Sequence, residues 1–337
     1  MKTLVLTEPG RFDRIETDGP GAPGAGETII RIHRVGICGT DLHAFRGRQP
    51  FFSYPRILGH ELGAEVVAVG DGVDQVQVGD HVAVEPYLDC GTCLPCRRGR
   101  PNCCESLKVL GVHVDGGMRE LISVPAHKLH RSDTLTLEQL ALVETLGIGA
   151  HAVERAGLQA AETVLVVGAG PIGLATLQFA ALAGARVHVL EPNDMRRAFA
   201  RDHFDVAGCH TPTDDVQDLW RNMGDAPTCV FDATGSQTAM EAAFDLPAPS
   251  GRLVFVGFQL QRLSFANPDF HRRELTLMSS RNSTAAEFTR IVSLMEAGRI
   301  DTMPWITHRA AFDDVVETFP SWLVPETGVV KAMLELT

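Results

Sequence analysis

Val164-Leu165-Val166-Val167-Gly168-Ala169-Gly170-Pro171-Ile172-Gly173 reads as a strand that runs into a glycine-rich turn and then into a helix reaching Ala183. Glycines spaced G-x-G-x-x-G allow a tight turn, close approach of backbone to a pyrophosphate, and close helix–strand packing. The helix start also offers free N–H groups to phosphate oxygens. Glu191 ends the next strand-like segment, Arg186–Leu190, 18 residues beyond Gly173. A carboxylate there accepts hydrogen bonds from a ribose diol and repels a 2′-phosphate, so the spacing predicts NAD over NADP. Arg196 and Arg197 nearby keep NADP as the alternative. The plainer reading is a glycine-rich turn with an incidental surface Glu. The complete strand–turn–helix–strand context weighs against it.

Outward from this stretch, the chain after about residue 148 alternates between β and α. Segments Thr163–Val167, Arg186–Leu190, Thr228–Phe231, Arg252–Val256 and Leu275–Met278 read as strands. Helices are expected at Pro171–Ala183 and near Asp194–Asp205 and Ser236–Leu246. Such alternation predicts a doubly wound parallel sheet. Val164 to Ala185 is a 22-residue stretch without a charge, long enough for a membrane span, but its glycines and Pro171 divide it into strand and helix. Before residue 148, Thr28–Ile32, Glu65–Val69 and His81–Val84 are short β-branched runs closed by Gly/Asp turns, which suggests a compact all-β unit.

The chain has 337 residues, which suits two ordinary domains, and a net charge of −12. That balance argues against general affinity for nucleic acid or anionic membranes. No basic-then-apolar start follows Met1, so the expected compartment is the cytoplasm, where thiols stay reduced. The eight cysteines are then ligands, catalytic groups or buried small hydrophobes.

Cys90, Cys93, Cys96 and Cys104 place four thiols within fifteen residues, a set that suits a closed, structural zinc site. Spacing alone does not exclude Cys103 as the fourth ligand. A second constellation is dispersed. Cys38, Thr40 and His43 lie in Gly36–His43, His60 and Glu61 follow Gly59, and Glu144 follows an apolar, strand-like run. Taken singly, each has a bland reading as a buried thiol, a core imidazole or a solvated acid. Together they offer the mixed ligands of a catalytic zinc.

With these motifs the chain resembles the zinc-dependent medium-chain dehydrogenases/reductases over essentially its whole length. Gly59-His60-Glu61 with Gly70 and Val73, the four-cysteine lobe with Asn102 and Cys104, Gly168–Gly173 and Asp232-Ala233-Thr234-Gly235 carry the likeness. The resemblance implies an α/β protein. A GroES-like β-barrel catalytic domain (residues 1–149 and 281–337) would carry a zinc lobe at about 88–106 and be interrupted by a Rossmann domain (150–280). The active site would lie in the cleft between them.

The resemblance assigns Cys104 to the structural zinc. It gives Cys38, His60 and Glu61 to a catalytic zinc, with Glu144 completing the shell directly or through water. Gly168, Gly170, Pro171, Ile172, Gly173, Glu191, Arg196, Thr234, Val256 and Gly257 would bind NAD. The zinc would lower the pKa of a substrate hydroxyl, hydride would pass to the nicotinamide, and the proton would leave through Thr40, the nicotinamide ribose and His43. Arg281, beside Asn282, is a candidate clamp for a substrate carboxylate, its bland reading being a cofactor contact or a surface ion pair.

Within the family the polyol branch is most similar, and Gln49–Arg56 with Ser280-Arg281-Asn282 resembles the bacterial L-galactonate 5-dehydrogenases. The implied reaction is oxidation of a secondary alcohol on a sugar acid or polyol. Threonine 3-dehydrogenase and sorbitol-type activities are rivals, and a zinc module or an NADH sensor are the non-enzyme readings. A homo-oligomer, dimer or tetramer, is implied through an edge strand, Leu253–Phe258 or Glu274–Ser279. Three departures stand out: Ala64 replaces a usual Gly, Thr145 a usual Pro after the glutamate, and Met118-Arg119-Glu120-Leu121 a usual Phe-x-Glu-Tyr.

Overall fold

The computed structural model describes residues 1–50, 52–213 and 215–336; Phe51, within the 49–56 stretch, lies outside them. Thr163–Val167 is a strand and Pro171–Leu182 a helix. Gly168 turns between them at φ +93°, and a Cβ on Gly173 would lie 1.9 Å from the Gly168 carbonyl oxygen. Neither position accepts a side chain, and this is why the turn needs glycine. The apolar run thus divides as its glycines require, and among the described residues no helix is long and apolar enough to cross a membrane.

The chain divides into two units, residues 1–144 with 284–337, and residues 145–283. The second unit is a six-stranded parallel sheet ordered Gly208–His210, Arg186–Leu190, Thr163–Val167, Cys229–Asp232, Arg252–Phe255 and Thr276–Ser279. Counting from Thr163–Val167, this is the 3-2-1-4-5-6 order of dinucleotide folds. The central strands are buried, as parallel strands covered on both faces must be. Leu165, Val230, Leu253, Leu219 and Phe244 share one apolar cluster. Of the two segments expected at a sheet edge, Thr276–Ser279 is there. Arg252–Phe255 is internal, because Thr276–Ser279 pairs along its outer side.

In the first unit the eleven-residue strand Glu27–Ile37 is the hub. It pairs antiparallel with Glu61–Val69, Leu121–Pro125 and Lys331–Glu335. His81–Val84 and Leu129–Arg131 extend the sheet on one side and Ile306–Ala311 on the other. Ile32, Leu62, Val66, Ile122 and Leu334 anchor its core. The Gly-to-Ala departure at Ala64 is absorbed there, with the methyl fully buried. Its neighbour Gly63 is the sterically demanding position: a Cβ would stand 2.0 Å from the Leu137 carbonyl oxygen.

The apolar run before Glu144 is not a strand. Leu137–Ala141 is helical, and Glu144 sits in the first turn of a further helix, Val143–Ala156. The cause is local: Thr136 Oγ1 accepts from Gln139 N (3.3 Å) while Gln139 Oε1 accepts from Thr136 N (2.9 Å). This reciprocal cap starts a helix where apolarity alone is ambiguous.

Candidate metal centre and dinucleotide site

Cys38 follows the hub strand directly and caps the short helix Gly39–Phe45, where the Asp41 carboxylate accepts from Cys38 N at 2.9 Å. Thr40 and His43 lie three residues apart on that helix and share a face. His60 and Glu61 come from the start of the paired strand, whose register puts Glu61 opposite Gly36. Strand pairing therefore brings Cys38, His60 and Glu61 together, with their ligand atoms within 4.8 Å of one another. Glu144 is buried but is not one of that group; it accepts a hydrogen bond from the Tyr87 hydroxyl.

The chemistry around these atoms asks for a cation. Burial opposes a charge on His60, yet Asp41, Cys38 and Glu144 outweigh it and hold its pKa well above the usual range. Burial raises both Asp41 and Glu144. His60 Nδ1 and Asp41 Oδ1 are buried 3.8 Å apart, each without a hydrogen-bond partner. One sulfur, one imidazole and one carboxylate are the donor mix of a catalytic zinc, and a carboxylate behind the imidazole is its usual support. The residues present fit that ion.

Lys331 also belongs here, although no motif in the sequence marks it. Its ammonium donates to both Glu61 oxygens at 2.6 and 2.8 Å and to the Ile37 carbonyl at 3.3 Å, and it is only 1% exposed. Burial works against its charge, but Glu61, Cys38 and Glu144 keep its pKa above the usual value. A lysine inside the apolar run Val329–Leu334 was the available signal, since a charge is seldom buried without a partner.

The second set of ligands lies on one loop. Cys93 Sγ is 3.4 Å from Cys96 Sγ and 3.8 Å from Cys104 Sγ, and Cys104 Sγ is 3.5 Å from Cys90 Sγ. Four sulfurs about 2.3 Å from a zinc stand roughly 3.8 Å apart, whereas disulfide sulfurs are about 2.05 Å apart. The loop is therefore shaped for a tetrahedral ion. Backbone and hydroxyl donors of Thr92, then Cys93 N, bring Cys90 down to about 5. Cys104 is buried in the group and Cys103 is exposed outside it.

In the other unit, Glu191 is buried at the mouth of the glycine turn. Its two oxygens accept from Ala169 N (2.7 Å) and Asn193 N (2.9 Å). It thus fixes the glycine-rich turn. Arg196 N is capped by Asn193, and Arg197 donates to the Glu191 carbonyl at 2.6 Å. Pro171 and Ile172 open the helix. Thr234 N and Oγ1 bond Asp232 Oδ1, while Val256 N and Gly257 N bond the Asp232 carbonyl, which draws these three positions to one end of the sheet. Arg281 is exposed and Asn282 turns at φ +55° just beyond the last strand.

Comparison with known proteins gives the family. The description "Alcohol dehydrogenase GroES-like domain" matches residues 24–134, and "Zinc-binding dehydrogenase" matches residues 171–297. The chain belongs to the zinc-binding dehydrogenases. This dehydrogenase is 39% identical to the L-galactonate-5-dehydrogenase of Escherichia coli (strain K12), covering 99% of this chain and 98% of that one. It is 32% identical to the L-threonine 3-dehydrogenase of Pyrococcus horikoshii, covering 99% of each. The crystal structure of a short chain alcohol dehydrogenase (rspB) from E. coli CFT073, complexed with cofactor NADH, has a TM-score of 0.92. It is 31% identical and the match covers 100% of this chain and 99% of that one. This zinc-binding dehydrogenase is an oxidoreductase with a GroES-like domain and a Rossmann-type sheet.

Proposed function

We propose that this dehydrogenase oxidises a secondary alcohol on a sugar acid or polyol to the ketone, as its L-galactonate-5-dehydrogenase relative does by name, with NAD as acceptor. The carrying observation is the mixed Cys38, His60 and Glu61 group beside the helix that bears Thr40 and His43. Zinc held there would supply a Lewis acid that makes an alcohol acidic near neutrality. Thr40 would take the substrate proton through its hydroxyl, and His43 would pass it to solvent. Burial, then Arg46 and Arg48, push the His43 pKa down, which suits an imidazole that must be neutral to accept a proton.

The same reading assigns a second, structural zinc to Cys90, Cys93, Cys96 and Cys104. It assigns NAD to Gly168, Gly170, Pro171, Ile172, Gly173, Glu191, Arg196, Thr234, Val256 and Gly257. Arg281 and Asn282 are the proposed substrate-carboxylate contacts, on the ground of charge and position in the chain. A catalytic part at 1–149 and 281–337, a coenzyme part at 150–280, a cytoplasmic home and a dimer or tetramer complete the proposal. Oxidation of threonine is the second reading, favoured by the L-threonine 3-dehydrogenase relative.

The test is NADH formation with sugar acids, polyols and threonine, with and without chelator, run beside Cys38→Ala. Turnover of a sugar acid that is lost on chelation and in Cys38→Ala is expected. Full turnover by Cys38→Ala would refute the scheme, and turnover of threonine alone would select the second reading. Glu191→Ala should weaken NADH binding by roughly 10- to 100-fold and raise relative use of NADP.

A further inference from the structure

Glu144 is the acid whose aim the sequence leaves open, because Thr145 follows it where the resemblance expects Pro. Its carboxylate is close enough to His60, Glu61 and Lys331 to feel their charges, yet it stays outside the three-residue ligand group. Its Oε1 accepts a hydrogen bond from the Tyr87 hydroxyl. Both side chains are nearly sealed from solvent, Tyr87 at 3% exposed and Glu144 at 5%.

Tyr87 itself is tightly framed. Its backbone pairs with Val109, and its ring meets Phe288 edge-on at 6.4 Å between centroids. The segment around it is strapped at both ends by one buried ammonium: Lys128 Nζ donates to Glu85 Oε1 at 2.7 Å and to Asp89 Oδ1 at 2.8 Å. Asp89 leads directly into the four-cysteine loop. A hydroxyl carried on so fixed a segment is a rigid partner, and a buried carboxylate that has one will not leave it without cost.

We propose that Tyr87 is a positioning residue that holds Glu144 off the metal at Cys38, His60 and Glu61, so that only three protein ligands reach the ion and a place is left for substrate. The proposal rests on the metal reading above. A fourth carboxylate ligand would turn the site into a closed one, in which substrate has to compete with the protein. Lys128 supports the same arrangement by fixing the ends of the segment that carries Tyr87.

Cobalt(II) placed at this site, with zinc retained on the four cysteines, tests it through visible absorption. A thiolate-to-cobalt band lost in Cys38→Ser is expected first; if no such band forms, the metal reading itself fails. Tyr87→Phe keeps the ring and frees Glu144. Its cobalt bands should shift to those of an added oxygen ligand, release to a chelator should slow by about tenfold, and KM should rise more than kcat falls. Tyr87→Phe with Glu144→Ala should restore the parent spectrum. Glu144→Ala alone should leave the spectrum unchanged, and this arm decides even if Tyr87→Phe does not fold. A spectrum altered by Glu144→Ala alone, or unaltered bands and release in folded Tyr87→Phe, would overturn the proposal.

Discussion

His43 stands on the helix Gly39–Phe45 with Arg46 and Arg48 just beyond. Burial, and then these two cations, keep its imidazole neutral to a lower pH than the ordinary value of about 6.5. The acidic limb that His43 imposes on the rate should therefore lie below that value. Arg48→Ala should move it upward, and His43→Ala should remove it while lowering kcat about 100-fold. A pH profile of kcat for the three proteins checks this. Single residues differ in how visible they were beforehand. Cys38, His60 and Glu61 could be named because their types and short motifs point to zinc. For Tyr87 no pattern points to its partner, and for Lys331 the apolar run around it signals burial but not the partner, because each meets that partner across a long stretch of chain, 57 residues to Glu144 and 270 to Glu61. No local pattern encodes such meetings; only the pairing of Lys331–Glu335 with the hub strand creates the second.

At the scale of elements, the clustering of four thiols on one loop is legible from their spacing, apart from the choice between Cys103 and Cys104. Burial resolves that choice: Cys104 faces the other sulfurs and Cys103 faces solvent. Cys104→Ser should lose one equivalent of zinc by metal analysis, whereas Cys103→Ser should keep it and melt as the parent does. The strand–turn–helix at 163–182 was equally legible, because glycine sterics leave few alternatives there. The helix at Leu137–Ala141 was not, since five apolar-rich residues suit strand or helix and the cap at Thr136 decides.

Strands Arg186–Leu190 and Gly208–His210 carry another feature, a His188 Nδ1 to His210 Nε2 contact of 3.0 Å. Burial, then His210 and Arg186, push His188 down to about 4. The unfolded chain takes up this proton below about pH 6.5 and the folded chain only near the lower value. Stability is thus complete above the first value and falls through the window between, by roughly 3 kcal/mol at most. His188→Leu should flatten the pH dependence of the urea midpoint over that range, and an unchanged slope would count against the assignment.

On the scale of the whole molecule, each unit has its own apolar cluster, and both ligand groups for metal fall in the first. The dinucleotide turn falls in the second. Chelator should therefore lower the melting temperature of one calorimetric transition and NADH should raise that of the other. A single transition moved equally by both would show that the units melt as one. The two-part organisation was readable because alternating β and α patterns replace short β runs near residue 148. The return of the chain to the first unit was readable only through family resemblance, because Ile306–Ala311 and Lys331–Glu335 look like any short strands.

Lys331 and Glu61 are separated by 270 residues. At roughly 5–20 residues per second, a ribosome needs roughly 10–60 s to deliver the lysine after the glutamate. Residues 145–283 are contiguous and can fold during that interval, while the hub strand still waits for its last neighbour. Until the last strand arrives, Glu61 lacks the ammonium that it shares in the finished chain. The buried ion pair is therefore among the last contacts of the first unit that synthesis makes possible.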